Sequence, residues 1–145
     1  RLYEEVREKR GLAYSAYSYL APLDHAGIII GGAGTANART GETVKVLRDE
    51  WAKMNKSGLT QTELKDAKTY LTGSYPLRFS SSRRIAGMMT GIQLEKLGLS
   101  YIKKRNSYIE AVSLDDVNRV AAKLLDPAKI TMVIVGQPKG VTSTP

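Results

Sequence analysis

Arg7 and Tyr14, separated by Glu-Lys-Arg-Gly-Leu-Ala, hold the most chemistry in this sequence. A guanidinium and a phenol are both hydrogen-bond donors. If a helix ends at Gly11 and a strand follows, the two side chains can converge on one point. Donors aimed at a peptide carbonyl that gains charge during acyl transfer form an oxyanion-type site. The competing structural reading has the arginine snorkelling to solvent and the tyrosine buried in the core.

Other candidates carry less. The sequence has no cysteine, which excludes disulfides, thiolate metal sites and cysteine nucleophiles without choosing a compartment. The single histidine, His25, cannot build a histidine zinc site and stands beside Asp24 in a turn-like stretch. GGAGTANARTG (31–41) lacks the Gly-Lys-Ser/Thr ending of a phosphate loop and a correctly placed third glycine of a dinucleotide fingerprint. Gly87 and Gly91 form a G-x-x-x-G in an apolar run too short to cross a membrane, so close helix packing is expected there, with Met88 and Met89 in the core. A net charge of +8 raises nucleic acid as a partner. The basic clusters are short, however, and the strand tyrosines fall on both faces, a poor stacking platform.

These residues need elements to position them. Tyr3, Val6 and Arg10 have helical spacing, and Gly11 suits the left-handed position past a helix end. Residues 12–21 alternate as a strand, with Leu12, Tyr14, Ala16 and Ser18 on one face and Ala13, Ser15, Tyr17 and Tyr19 on the other. A turn over 22–25 leads to a second, antiparallel strand, AGIIIGGAGT (26–35). A helix from Thr40 to Ser57 puts Val44, Leu47, Trp51 and Met54 on one face. Thr60 and Glu63 form a capping box for the next helix, which weakens at Gly73 and Pro76. Serines 80–82 and Ser100 open two more helices, and Ser113 with Asp116 forms a further capping box. KITMVIVGQP (129–138), apolar on both faces, predicts a buried strand.

This order predicts an α+β fold, a small antiparallel or mixed sheet covered by several helices. A buried last strand needs neighbours on both sides. At least one further strand and a helix are therefore expected upstream of Arg1, leaving the N-terminal part of the domain outside this chain. Residues 1–138 read as one partial domain and 139–145 as a flexible tail. An uncovered sheet edge would let the chain self-associate.

RLYEEVREKRGLAYSAYSYL, with Arg7 and Tyr14 across the hinge, resembles the C-terminal half of insulinase/pitrilysin-type zinc metallopeptidases, especially bacterial members similar to mitochondrial processing peptidase. SSSRRIAGMMTGIQLEKLG, SLDDVNRVAAKLL and MVIVGQP extend the resemblance over residues 1–138. It implies half of a two-domain unit. One half carries an inverted zinc motif, H-x-x-E-H, with a downstream glutamate ligand. The other supplies the Arg/Tyr pair that binds the substrate peptide and steadies the oxyanion. No H-x-x-E-H occurs here. The resemblance therefore implies no metal or cofactor in this chain, with zinc and the general base supplied by another domain or subunit. The expected role is the substrate-binding, oxyanion-assisting C-terminal domain of a zinc-dependent metalloendopeptidase, inactive alone. Its expected partners are that zinc-bearing domain or subunit and a peptide substrate, not nucleic acid. The alternatives are a non-catalytic scaffold of the same fold and a basic nucleic-acid-binding module.

Overall fold

The computed structural model describes residues 1–142; residues 143–145, part of the expected tail, lie outside the described residues. Two compact units divide the chain: Arg1–Ser57 with the segment from Ala122 onward, and Gly58–Ala121.

In the first unit, strand β1 (Ala13–Leu23) pairs antiparallel with β2 (Ala26–Thr35) around the tight Asp24–His25 turn. β1 runs two residues further than its sequence suggests, because Pro22 and Leu23 still pair with Gly27 and Ala26. Helix α1 (Thr40–Ser57) follows a short 3-10 turn at Asn37–Arg39. Val44, Leu47, Trp51 and Met54 are all half-buried, the single apolar face its spacing requires. The core is small. Val6 is fully buried with Leu12, Ala13 and Ala16, and Leu2, Ala33, Val46 and Leu47 close around them.

The expected strand over 129–138 is corrected. A 3-10 turn occupies Pro127–Lys129, and Ile130–Val135 runs on without a ladder partner. Val133 and Val135 are 84% and 93% exposed. The physical reason is the absence of a neighbour: β1–β2 is the one ladder among the described residues, so the outer edge of β2 is also unpaired. Between that edge and Ile130–Val135 lies a cavity of about 950 Å³, lined by Ile28, Ile29, Trp51, Val133 and Ile134 among others. Beyond it the chain is fastened to the start of α1. The Gly41 N–H donates to the Lys139 carbonyl at 3.0 Å, and the Lys139 N–H to the Asn37 carbonyl at 2.9 Å.

The second unit is helical: α2 (Gln61–Gly73), a 3-10 turn at Tyr75–Phe79 containing Pro76, α3 (Ser82–Leu94), α4 (Tyr101–Ala111) and α5 (Leu114–Leu124), the last as far as Ala121. Both expected capping boxes are present. The Thr60 hydroxyl accepts from the Glu63 N–H while the Glu63 carboxylate accepts from the Thr60 N–H. Ser113 and Asp116 do the same for α5. α3 is capped by Ser81 and stops at Leu94. The close packing expected of Gly87 and Gly91 is not found: a Cβ at either would meet nothing within 4 Å. Met88 and Met89 are half-buried, and Ile92 is the buried residue of α3. The whole is α+β, as the element order predicts.

Candidate functional site

Arg7 lies in a single π-helical turn, Tyr3–Glu8, where a regular helix is expected. The Lys9 N–H reaches back to the Glu4 carbonyl at 2.9 Å, the i→i+5 pattern of such a turn. Val6 anchors the turn in the core, which leaves its neighbour Arg7 half-buried at the rim. Gly11 ends the turn in the left-handed conformation (φ +54°), as the sequence suggests. Its N–H donates to the Arg7 carbonyl at 2.9 Å, an αL cap, and the Leu12 N–H donates to the Val6 carbonyl at 2.8 Å.

Side chains from beyond β1 hold the hinge. The Arg39 guanidinium donates to the Gly11 carbonyl at 2.9 Å and the Arg10 carbonyl at 3.2 Å. The Thr35 hydroxyl donates to the Leu12 carbonyl at 2.7 Å. The buried Thr43 hydroxyl lies 3.0 Å from that of Thr35. Three successive hinge carbonyls are therefore each satisfied by a side chain, which fixes the path from Arg7 into β1.

Tyr14 differs from its expected place. Simple alternation puts it on one face with Leu12 and Ala16, both buried. The register shows a bulge instead: Ala13 pairs with Thr35 and Ser15 with Gly34, so Tyr14 is the extra residue. A bulge turns one side chain out of the pleat. Ala13 joins the core in its place, and Tyr14 is 83% exposed. The core-tyrosine reading does not describe this residue.

The structure brings Arg7 and Tyr14 together. The Arg7 Cζ lies 4.9 Å from the Tyr14 ring centroid and 5.0 Å from that of Tyr3, and Arg7 Nη1 donates to the Tyr3 hydroxyl. The two carboxylates of the first turn, Glu4 and Glu5, are engaged elsewhere. Glu4 pairs with Lys9 at 3.0 Å, and Glu5 pairs with Lys9 at 2.6 Å and with Arg10. The Arg10 and then the Lys9 hydrogen bonds hold the Glu5 carboxyl down at about 2, and the same contacts raise the pKa of both cations. Among the described residues no carboxylate forms an ion pair with Arg7. A guanidinium without an anionic partner, next to a phenol that can also donate, is chemically able to hold a carbonyl or another acceptor.

Tyr3 and Arg39 were not singled out by sequence reasoning. Tyr3 stands four residues before Arg7 and was open to discovery by helical spacing. Arg39 is 28 residues from Gly11, with no local signal of their contact. The cavity beside β2 is a separate feature, and neither Arg7 nor Tyr14 lines it. Zinc does not fit these residues. His25 is the one histidine, cysteine is absent, and among the described residues no group of three or more His, Cys, Asp or Glu is placed to hold a metal ion.

Residues 1–71 match the family described as peptidase M16 inactive domain. The chain is 34% identical over 128 residues to an uncharacterized zinc protease of Streptomyces coelicolor, covering 86% of this chain and 27% of the relative. It is 30% identical over 142 residues to a non-peptidase homolog of Helicobacter pylori, covering 96% of this chain and 32% of that protein. The crystal structure of a peptidase M16 inactive domain from Pseudomonas fluorescens superposes with a TM-score of 0.69 at 34% identity, covering 88% of this chain and 30% of that one. The chain thus spans under a third of the length of each of these proteins. On the match that contains the whole Arg7–Tyr14 hinge, and on these relatives, the chain is a member of the peptidase M16 inactive-domain family.

Proposed function

We propose that this chain is the substrate-binding, oxyanion-assisting part of a zinc-dependent metalloendopeptidase that acts on peptides. Zinc and the general base come from another domain or a partner subunit of the same family. Arg7 holds substrate carbonyls and Tyr14 donates to the oxygen that gains charge. The observation that carries this reading is the contact of Arg7 with Tyr14 across the Gly11 hinge, with no carboxylate on the guanidinium among the described residues. By itself the chain is catalytically inert.

The test uses the full-length, zinc-bearing protein, with peptide cleavage and thermal unfolding measured on the same samples. Tyr14→Phe should lower kcat by about 10²–10³, the usual loss for one oxyanion donor. Arg7→Ala should raise KM as well, and Arg7→Lys should rescue it only in part, because a point charge does not reproduce the guanidinium fork. Unfolding of Tyr14→Phe should be unchanged, since the ring remains. Wild-type kcat in both Tyr14→Phe and Arg7→Ala would end this reading.

One observation favours a second reading, a non-catalytic scaffold of the same fold: the Helicobacter pylori relative is named a non-peptidase homolog. Under that reading no substitution at Arg7 or Tyr14 changes peptide turnover, and any effect appears in stability or assembly alone.

A further inference from the structure

We infer that Tyr3 is the positioning residue for Arg7, holding its guanidinium beside Tyr14 so that the remaining donors are presented to a peptide carbonyl. This rests on the reading of Arg7 as a substrate-carbonyl donor. The Arg7 Cζ is 5.0 Å from the Tyr3 ring centroid and 4.9 Å from that of Tyr14, so two aromatic rings share one cation. The Tyr3 hydroxyl also accepts from Arg7 Nη1. Tyr3 and Arg7 lie in the same π turn, tied to the core by the fully buried Val6 between them.

The choice of partner has a chemical consequence. A carboxylate would fix the arginine by neutralising it and taking up two of its donors. An aromatic face attracts the cation through its quadrupole and leaves the charge in place, and a phenol oxygen takes one donor. Glu4 and Glu5, the acidic residues of the turn's start, pair with Lys9 and Arg10 instead. Arg7 is thereby ordered before a ligand arrives, and the side-chain freedom that a loose arginine would lose on binding is already lost. Binding should suffer more than the chemical step when Tyr3 is removed.

The experiment compares Tyr3→Phe, Tyr3→Leu and Arg7→Ala in the full-length protein. Two measurements are made on folded samples: the guanidinium ¹⁵N signals of Arg7, assigned by their loss in Arg7→Ala, and the kinetics of peptide cleavage. In the wild type, rotation about the Arg7 guanidinium bonds should be hindered. Tyr3→Leu should free it and raise KM about five- to tenfold with a smaller change in kcat, the scale of losing one cation–π and one hydrogen-bond partner. Tyr3→Phe keeps the ring face and should fall between. If Tyr3→Leu leaves both the Arg7 signals and KM at wild-type values while Arg7→Ala impairs cleavage, the role of Tyr3 is overturned and the proposed function stands. If Arg7→Ala leaves cleavage intact, the proposed function fails and the functional role of Tyr3 with it.

Discussion

A guanidinium flanked by two aromatic rings and a guanidinium paired with a carboxylate lie a few residues apart here, and they serve different ends. Arg7 keeps an uncompensated charge at the rim, whereas Arg10 and Lys9 are tied to Glu5. The Glu5 pairing has a testable pH dependence. Its carboxyl is lowered from 4.5 to about 2, first by Arg10 and then by Lys9. A folded-state value below the unfolded one contributes stability that is present above the unfolded pKa and lost as pH falls through the folded one. The thermal stability of the wild type should therefore exceed that of Glu5→Gln above about pH 4.5, with the difference shrinking between 4.5 and about 2. A difference that stays constant across that range would contradict the assigned pairing.

At the scale of elements, two glycine stops look alike in sequence and differ in their surroundings. Gly11 (φ +54°) and Gly58 (φ +66°) both sit in the left-handed region. A Cβ on Gly11 meets nothing within 4 Å, so Gly11→Ala carries only the backbone penalty, about 1–2 kcal/mol. A Cβ on Gly58 would lie 2.2 Å from Asn118 Oδ1, the atom that accepts the Leu59 N–H at 2.7 Å. Gly58→Ala must therefore also displace that hydrogen bond and should cost about 2–4 kcal/mol. Denaturant unfolding of both variants measures the gap; equal losses would mean that Asn118 yields without cost. Gly11→Ala has a second expected effect, since distortion of the hinge moves Tyr14 relative to Arg7 and should lower peptide cleavage more than its stability loss accounts for.

For the whole molecule, the two-stranded sheet leaves backbone unpaired among the described residues. β2 has one free edge, Ile130–Val135 is unpaired, and apolar side chains line the cavity between them. Open edges of this kind pair with other chains. The chain on its own should self-associate as its concentration rises, and Ile29→Lys, which places a charge in the cavity lining, should weaken that association. Sedimentation velocity over a concentration series tests this, and a strictly monomeric wild type at high concentration would refute it. Metal content is a second whole-chain property. With one histidine and no cysteine, a zinc site would have to rely on carboxylates, whereas closed zinc sites favour nitrogen and sulfur. The dialysed chain should hold no stoichiometric zinc by elemental analysis; one zinc per chain would show that a site had been missed.

Whatever depends on near neighbours could be read from the order of residues. The capping boxes at Thr60 and Ser113, the left-handed Gly11, the apolar stripe of α1 and the second strand at 26–35 were all legible, because caps, turns and helical faces are set by residues a few positions apart. The interval between Arg7 and Tyr14 was legible in the same way. Where those side chains point depends on contacts between distant parts of the chain. The bulge that brings Tyr14 out and Ala13 in is a property of pairing with β2, and the contacts that hold the hinge come from Thr35 and Arg39, more than twenty residues away. So does the fate of Ile130–Val135: strand-like composition makes a strand only where another backbone supplies its hydrogen bonds.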